Sequence, residues 1–349
     1  MEDNELLLID RIEKIKSINK QYNLEDNAYI SFSGGKDSTI VHYLIDLALP
    51  HNNIPRVFVN TGIEYQKIVD FVKTIAKNDK RIKIINSGIN IKNMLEKEGY
   101  PFKSKLHSAN VMVYQNNKEE INNFISNNPT KTTINKEKIE NLKSGCKTVI
   151  KYYYGLREKN GKLYDYNDLP KSLKYQFESD LSFKISDKCC NYLKKEPLKK
   201  WQAENQKNIC ITGMRKTEGG RRSLSLNCIK LDKSENLISF HPIAVVNNNF
   251  EQWFAEKYNI KLCDLYKEPY NFERTGCKGC PFNIKLKEDL DTMKYFFPNE
   301  YKQIEKLWEP VYKEYRKLNY RLTKQVNIYD FAIKPFSSNE GGKNADRKD

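Results

Sequence analysis

The 349-residue sequence contains no long apolar run and no compact block of lysine and arginine. Its apolar stretches are far shorter than the roughly 20 residues that a membrane-spanning helix needs. The N-terminal residues MEDNELLLID are acidic and hold only three consecutive leucines, unlike a signal peptide. These absences predict a cytoplasmic protein that has no membrane partner.

Histidine is scarce, and cysteine does not follow a secretory pattern. We interpret His42 and His241, two of the four histidines, as hydrogen-bonded packing residues. Eight cysteines in a cytosolic chain do not indicate a disulfide framework. Four of them stand in pairs, as Cys189-Cys190 and Cys277-x-x-Cys280. The isolated ones, interpreted as inert buried thiols, are Cys146, Cys210, Cys228 and Cys263.

Positive charge is abundant, since the formal net charge is +15 and the pI is about 9.2. Such a surface attracts polyanions, of which DNA and RNA are the usual examples. However, lysine far outnumbers arginine, and asparagine, isoleucine and tyrosine are frequent, as an AT-rich coding bias produces. Charge alone therefore leaves nucleic-acid binding open.

Short β-type runs alternate with helical patterns through much of the chain. Strands are predicted at 28–33, 56–61, 81–87, 208–214 and 237–243, and helices at 1–23, 38–49, 65–78 and 248–260. This alternation is typical of parallel βαβ units. We therefore predict an α/β fold, a Rossmann-like parallel sheet with helices on both faces.

The alternation breaks in the middle of the chain, where the sequence is polar and rich in lysine and asparagine. We predict an α/β core of residues 1–100 and 186–270, which carries residues 101–185 as an insertion over one end of the sheet. Residues 271–335 hold the Cys-x-x-Cys pair and helical segments. The polar residues 336–349 are predicted to be a disordered tail.

The stretch SFSGGKDS follows the first predicted strand, and its glycines can adopt backbone angles closed to other residues. The N–H groups of Gly34 and Gly35 can then point into one concavity, at the positive end of the next helix. Lys36 and the hydroxyls of Ser33 and Ser38 add further donors. The turn predicts a phosphate cradle, although it matches neither G-x-x-x-x-G-K-[ST] nor G-x-G-x-x-G. The alternative is a tight turn without a ligand.

Polar residues also follow two other predicted strands. Thr61 and Gly62 lie at the carboxyl end of a parallel strand, where open α/β sheets bind ligands. Arg215 follows a later strand and could pair bidentately with a phosphate or sulfate. Arg221 and Arg222 could contact the same anion or belong to a solvated turn.

The paired cysteines fit three arrangements on spacing alone. A zinc site prefers two spaced pairs, and the adjacent Cys189 and Cys190 are awkward for one tetrahedral ion. An iron–sulfur cluster offers a separate iron to each neighbouring thiolate. Alternatively, Cys189 and Cys190 pack in the core while Cys277 and Cys280 shape a turn. The spacing does not choose among these.

The turn SGGKDS resembles the PP-loop of the adenine-nucleotide α-hydrolase superfamily, whose members cleave ATP at the α-phosphate or bind adenylyl sulfates. Three further segments resemble its phosphoadenosine phosphosulfate (PAPS) reductase family. They are VNTGIEYQ at 59–66, with Asn60 where the family has Asp, ITGMRKTEGGRR at 211–222 and FHPIAVVNNNFEQWFAEKYNIKLCDLY at 240–266. The resemblance covers most of residues 28–285 but leaves 101–185 unmatched.

The resemblance implies a nucleotide-binding fold and a bound adenine nucleotide, either ATP with Mg²⁺ or a sulfonucleotide such as adenylyl sulfate or PAPS. It implies catalytic roles for Lys36, Asp37 and Arg215. The nucleotide-binding residues that it implies are Ser33, Gly34, Gly35, Lys36, Asp37, Ser38, Thr61, Gly62, Glu64, Gly213 and Arg215. We also consider Lys103, Lys105 and His107, which follow the third strand, as contacts for a substrate phosphate.

The segments CCNYLKKEPL at 189–198 and GCKGCPF at 276–282 resemble the cluster-binding segments of assimilatory adenylyl-sulfate reductases, although Leu193 replaces an arginine. The resemblance implies a [4Fe–4S] cluster, rather than Zn²⁺, on Cys189, Cys190, Cys277 and Cys280. A cationic Lys194 one helical turn from Cys190 favours an anionic cluster.

One feature of those reductases is missing. They attack sulfur with a cysteine in a C-terminal E-C-G-[LI]-H segment, and this sequence has no cysteine or histidine after Cys280. Sulfonucleotide reduction is therefore not expected unless an isolated cysteine, first of all Cys263, replaces that thiolate.

We predict that the chain cleaves ATP to AMP and pyrophosphate and so activates a target for sulfur transfer, like the DNA-phosphorothioation proteins and tRNA thiolases that it resembles. DNA or tRNA is the predicted target, and a sulfur donor protein of the cysteine desulfurase type is a predicted partner. The tyrosine-rich KYYYGLREKNGKLYDY could stack on unpaired bases or pack internally. The alternatives are an adenylyl-sulfate or phosphoadenylyl-sulfate reductase and a non-catalytic nucleotide-binding subunit.

Overall fold

A computed structural model describes residues 3–178, 181–218 and 226–323 of the chain. Its strands are β1 Ala28–Ser31, β2 Arg56–Asn60, β3 Ile82–Asn86, β4 Leu156–Lys159, β5 Lys162–Asp165, β6 Ile209–Ile211, β7 Ile229–Leu231 and β8 Leu237–Phe240. One sheet has the strand order β3-β2-β1-β6-β8-β7 and is parallel except where β7 runs antiparallel to β8. Strands β4 and β5 form a separate antiparallel hairpin. The predicted α/β class with a Rossmann-like parallel sheet is confirmed.

The α-helices are α1 Asp3–Tyr22, α2 Leu24–Asn27, α3 Lys36–Ala48, α4 Gln66–Asn78, α5 Ile91–Glu98, α6 Lys105–Asn116, α7 Lys118–Asn127, α8 Lys136–Glu140, α9 Ser144–Tyr153, α10 Lys171–Lys174, α11 Glu196–Glu204, α12 Asn248–Lys257, α13 Leu286–Phe296, α14 Pro298–Leu307 and α15 Glu309–Lys317. A π-helical turn, Asn191–Lys195, leads directly into α11. The described part of the chain contains no helix with the length and apolar character of a membrane span.

Neighbouring side chains of β1 point to opposite faces of the sheet, and apolar or aromatic side chains on each face pack against helices. Ile30 belongs to an apolar cluster that includes residues of α1, α3 and α12. Tyr29 packs edge-on against Trp201 of α11, with the ring centroids 5.5 Å apart. A second cluster joins Phe58 of β2 to α4, the middle of the chain and the C-terminal helices.

The polar middle segment has an apolar interior that its composition does not reveal. Tyr153 and Tyr154 of the tyrosine-rich stretch are buried, so these two residues pack internally instead of being available to stack on bases. Tyr166, next to the β4–β5 hairpin, is exposed. His107 is fully buried and bonds the Tyr152 hydroxyl at 2.9 Å, so its predicted contact with a substrate phosphate is wrong.

Several boundaries differ from the predicted ones. Helix α3 begins at Lys36 rather than at residue 38, because Gly35 has the extended backbone of a helix N-cap. Strand β7 is absent from the predicted elements, since it is three residues long and largely solvent-exposed. The candidates Arg221 and Arg222, and the predicted tail at 336–349, lie outside the described residues.

Candidate active site

The glycine turn between β1 and α3 is held by its own side chains. Gly34 has φ +68°, and a Cβ there would lie 2.6 Å from Cγ2 of Val72, so the position requires glycine. The hydroxyls of Ser33 and Ser38 lie 3.0 Å apart, and the Ser33 oxygen accepts from the Gly35 N–H at 3.3 Å. The turn is thus preformed beside the positive end of α3.

A cleft of about 330 Å³ opens over this turn, and we call it the polar lobe. Its floor is the turn itself, with Lys36 and Asp37 at the start of α3. Its walls are residues 212–214, which follow β6, and residues 273–275, which precede the Cys-x-x-Cys loop. Three segments distant in sequence therefore meet at the predicted phosphate cradle.

An ionic network lies beneath the polar lobe. Arg215 Nε lies 2.8 Å from Asp37 Oδ1, an ion pair whose geometry is not that of a hydrogen bond. Arg215 also approaches Glu251 Oε2 at 3.1 Å and donates to Asn248 Oδ1 at 2.9 Å. Lys36 Nζ lies 3.3 Å from the same Glu251 oxygen. The three predicted catalytic residues are therefore brought together around one buried carboxyl group, that of Glu251.

Glu251 was not identified from the sequence. Its side chain is fully buried on α12, and burial, followed by the charge of Asp37, raises the pKa of this carboxyl to about 8. The available signal was an acid between two core positions, Phe250 and Phe254. An acid at such a position is easily taken for a solvent-exposed residue.

Gly213 acts through the close approach of two backbones. A Cβ at this position would lie 2.9 Å from the carbonyl carbon and oxygen of Asp37. Only glycine lets the chain after β6 pass so near the start of α3. The structure therefore gives Gly213 a packing role at the site, and its contact with a nucleotide stays a prediction.

Thr61, Gly62 and Glu64 form a tight turn after β2. The Glu64 carboxylate accepts from Thr61 N–H at 2.9 Å and from the Thr61 hydroxyl at 2.8 Å, and lies 3.4 Å from Lys194 Nζ. Glu64 also forms a β-bridge with Cys277, and Lys278 N–H donates to the Ile63 carbonyl at 2.7 Å. The turn therefore anchors the Cys-x-x-Cys loop, and its contact with a nucleotide stays a prediction.

A second cavity of about 190 Å³, which we call the apolar lobe, lies beside the first. Its lining includes Phe32, residues 57–59 of β2, Leu198 of α11, Glu64 and Lys194. The residues that line both lobes are Ser31, Ser33 and Thr275. The two lobes therefore meet at the glycine turn.

The four predicted metal ligands converge next to the apolar lobe. Cys277 and Cys280 both act electrostatically on Cys189, and Cys190 acts on both of them, which places two distant sequence pairs in one group. The neighbouring Cys189 thiol, followed by the cationic lysines, lowers the pKa of Cys190 to about 6, despite its burial. Burial raises the pKa of Cys280 to about 12.

The spacing of the four thiols suits a multi-iron centre better than one zinc ion. At a Zn–S distance of about 2.3 Å, tetrahedral sulfurs lie about 3.8 Å apart. Among the described residues, the compact group of three potential ligand atoms, all within 4.8 Å of one another, is that of His42, Asp46 and Asp79. The thiols form no group of three this compact, so they lie farther apart than the ligands of one zinc ion. An iron–sulfur cluster spreads its thiolates over several irons, so these residues fit that group.

The compact group at His42 is itself an ion-pair centre rather than a metal site. Asp46 Oδ1 lies 2.5 Å from Arg56 Nη2 and 2.8 Å from Arg81 Nη1. Burial, followed by the charge of Arg56, lowers the pKa of His42 to about 4. The two arginines already neutralise the acids that a cation would need.

The Cys-x-x-Cys loop is held by aromatic side chains of α15 and of Trp308, the residue between α14 and α15. Gly279 has φ +59°, and a Cβ there would lie 2.4 Å from both Ile304 Cδ1 and Tyr312 Oη. The three donors to loop carbonyls are Trp308 Nε1 to Lys278 at 3.0 Å, Tyr312 Oη to Gly279 at 2.5 Å and Tyr315 Oη to Pro281 at 2.9 Å. These bonds fix the carbonyl side of the loop.

Cys263, the alternative nucleophile, lies away from both lobes. Its thiol is buried, donates to the Lys67 carbonyl at 3.6 Å and lines a separate cavity of about 520 Å³ between α3 and α4. Burial also raises the pKa of this thiol, which disfavours the reactive thiolate.

Comparison with known proteins gives a family match over most of the chain. The family model described as the phosphoadenosine phosphosulfate reductase domain matches residues 27–147 and 146–283. The uncharacterized protein MJ0973 of Methanocaldococcus jannaschii is 36% identical over 103 residues, which cover 27% of this chain. The match spans only 25% of that relative's length.

Two solved structures align at low similarity. The phosphate complex of PAPS reductase from Candida auris has a TM-score of 0.35 and 14% identity, covering 72% of this chain and 89% of that chain. U34-tRNA thiolase NcsA from Methanococcus maripaludis, with its [4Fe–4S] cluster, has a TM-score of 0.34 and 15% identity, covering 95% and 86%. The family assignment therefore depends on the family model and not on these alignments.

Proposed function

The chain belongs to the phosphoadenosine phosphosulfate reductase domain family, and we propose that it cleaves ATP at the α-phosphate to activate a nucleic-acid target for sulfur transfer. The observation that carries this proposal is the junction of the two lobes at Ser33 and Thr275. The glycine turn lies on one side of this junction, and the cysteine group lies on the other.

The shapes of the lobes suit the two halves of ATP. The polar lobe, which Lys36 and Arg274 line, suits the triphosphate, and Mg²⁺ would screen its remaining charge. The apolar lobe, lined by Phe32 and Leu198, suits the adenosine. The α-phosphate joins these halves and so falls at the junction, where the reaction takes place.

The proposed reaction has two steps. An oxygen of the target attacks the α-phosphorus, the bond from that phosphorus to the β-phosphate oxygen breaks, and pyrophosphate leaves with the bonding electrons. The outer sulfur of a persulfide on a donor protein, such as a cysteine desulfurase, then attacks the atom that bears the adenylate, and AMP leaves with the bonding electrons. A thiol reductant breaks the S–S bond that still joins the transferred sulfur to its donor. Lys36, which lines the polar lobe, stabilises the charge that develops on the phosphates. Arg215 acts from beneath the lobe by positioning Asp37 and Glu251.

Cys189, Cys190, Cys277 and Cys280 would hold a [4Fe–4S] cluster in this proposal. Such a cluster supplies a redox-active or structural iron–sulfur centre when it is bound. The cysteines lie beyond Lys194 and Gly276, which line the apolar lobe. The sulfur chemistry and the nucleotide are therefore neighbours.

A nucleic-acid target is supported by the charge of the chain and by lysines near the apolar lobe. The net charge is +15. Lys195 lines the lobe, and Lys195 and Lys199 of the following turn are exposed. Neither forms an ion pair with an acid among the described residues. Cations that no acid neutralises are available to phosphates of a bound strand.

The test uses full-length protein prepared without oxygen, with Mg²⁺ and either ATP or PAPS, and with and without tRNA or DNA. We expect AMP and pyrophosphate that depend on nucleic acid, and their loss in Asp37→Ala but not in the control Asp291→Ala, an exposed acid of α13. Sulfite released from PAPS in the presence of thioredoxin would instead make the protein a reductase. ATP binding without any product would indicate a non-catalytic subunit.

A further inference from the structure

Two hydroxyl groups from the C-terminal half of the chain reach the glycine turn. The backbone N–H of Lys36 donates to the Tyr266 hydroxyl at 3.1 Å. That N–H belongs to the first residue of α3, so it has no partner within the helix. The Tyr266 hydroxyl in turn hydrogen-bonds the hydroxyl of Thr275. A chain of three polar groups thus leads from α3 to Thr275.

Either hydroxyl can be the donor in the bond between Tyr266 and Thr275. In one arrangement Tyr266, whose oxygen accepts from Lys36, donates its own hydrogen to Thr275 Oγ1, and the hydrogen of the Thr275 hydroxyl is then available to a ligand. A bound phosphate, whose oxygens accept hydrogen bonds, selects this arrangement. Thr275 makes no other hydrogen bond within the part of the chain that the structure describes. A donor that follows a polarised chain of hydrogen bonds is strengthened by it.

Thr275 lies where its hydroxyl can reach a ligand in either lobe. It lines both the polar lobe and the apolar lobe, together with Ser31 and Ser33. It therefore lies at the junction where the phosphate nearest the ribose of a bound adenine nucleotide falls. Its only local signal in the sequence is its place directly before GCKGC.

We propose that the Thr275 hydroxyl donates a hydrogen bond to the 5′-phosphate of the bound adenine nucleotide, and that Tyr266 is the positioning residue that orients it. The proposal rests on the placement of the nucleotide in the proposed function but not on ATP cleavage. It applies equally to ATP, AMP and a sulfonucleotide, because all three carry a phosphate at this position.

The test compares AMP with adenosine, which lacks the phosphate, by calorimetric titration of the full-length protein. Thr275→Val is expected to weaken AMP binding by about 10- to 100-fold, the usual loss for a hydrogen bond to a charged group, and to leave adenosine binding unchanged. Thr275→Ser, which keeps the hydroxyl, is expected to restore AMP binding. Tyr266→Phe is expected to weaken AMP binding by a smaller factor.

The matched control is Thr292→Val, since Thr292 lines a different cavity of about 170 Å³. Because Thr275 lies two residues from Cys277, iron content is measured in every variant, and equal content excludes a disturbed cysteine loop. The proposal is overturned if Thr275→Val keeps the wild-type preference for AMP over adenosine. It is also overturned if the variant loses both ligands equally with its iron intact, or if the wild-type protein binds neither.

This test separates the inference from the proposed function. A wild-type protein that prefers AMP through Thr275 but makes no AMP from ATP would support the inference and contradict the ATP cleavage. A protein that makes AMP and pyrophosphate, but whose Thr275→Val variant binds AMP normally, would support the ATP cleavage and contradict the inference about Thr275.

Discussion

Gly279 in the Cys-x-x-Cys loop gives the sharpest prediction about the architecture of the site. Substitution by alanine forces a side chain into a left-handed conformation, at φ +59°, which costs about 1–2 kcal/mol. The new Cβ would also lie 2.4 Å from Ile304 Cδ1 and from Tyr312 Oη, and overpacking of this kind costs about 1–3 kcal/mol. We expect Gly279→Ala to lower the free energy of unfolding by about 2–5 kcal/mol.

The same loop offers a matched control. A Cβ at Gly276 would have no neighbour within 4 Å, and the residue has no positive φ, so Gly276→Ala is expected to change the free energy of unfolding by less than about 0.5 kcal/mol. Urea denaturation followed by circular dichroism measures both variants, and iron content is measured in parallel. Because the strain falls between Cys277 and Cys280, Gly279→Ala is also expected to retain less iron.

Equal unfolding midpoints and equal iron content in the two alanine variants would refute this reasoning. They would mean that the loop relaxes without strain and that the aromatic donors of Trp308, Tyr312 and Tyr315 do not hold it. Loss of stability in both variants would instead show that the whole loop tolerates no side chain, contrary to the open space at Gly276.

Three further predictions concern charge and metal binding. Because the pKa of Glu251 is raised, the folded protein holds the proton of this carboxyl to higher pH than the unfolded chain does. The free energy of unfolding is therefore expected to fall as pH rises from about 4.5 to about 8. Glu251→Gln is expected to flatten this fall, measured as the urea midpoint at each pH. Cys189→Ser is expected to lose visible iron–sulfur absorbance and iron, whereas Cys263→Ser keeps both. Arg215→Lys cannot contact Asp37 and Glu251 together, so kcat for AMP formation from ATP is expected to fall about 10-fold or more.

Each of these predictions has a contrary result. A Glu251→Gln profile that still falls between about pH 5 and pH 8 would place the titrating group elsewhere. Iron retained in Cys189→Ser, or lost in Cys263→Ser, would contradict the assignment of ligands. A change confined to KM in Arg215→Lys would mean that Arg215 contributes equally to binding of the ground state and of the transition state.

The sequence predicted the α/β fold because strand and helix periods are local properties. The runs at β1, β2 and β3 are apolar and bounded by polar residues, so their alternation with helices is legible without tertiary information. Strand β7 was missed because three largely exposed residues carry no period, and its pairing with β8 depends on the neighbouring strand.

The candidate site was predictable where it depends on one segment. The glycine turn needs glycine at Gly34 for its φ, and a sequence shows this directly. Glu251, Tyr266 and Thr275 were missed because each acquires its role only when α12 or the residues before the Cys-x-x-Cys loop fold against α3. Such long-range contacts leave no local pattern. Two points stay predictions: where the domains begin and end, and that the four paired cysteines bind a cluster.

The measurement that tests the central claim most directly is the fate of the γ-phosphate of ATP. Full-length protein prepared without oxygen is incubated with Mg²⁺, nucleic acid and ATP labelled at the γ-phosphorus, without added pyrophosphatase. Cleavage at the α-phosphate predicts label in pyrophosphate, an equal amount of AMP and neither product in Asp37→Ala. Label in orthophosphate with formation of ADP would contradict the account, because the bond broken would then lie beyond the β-phosphate, away from the junction at Ser33 and Thr275.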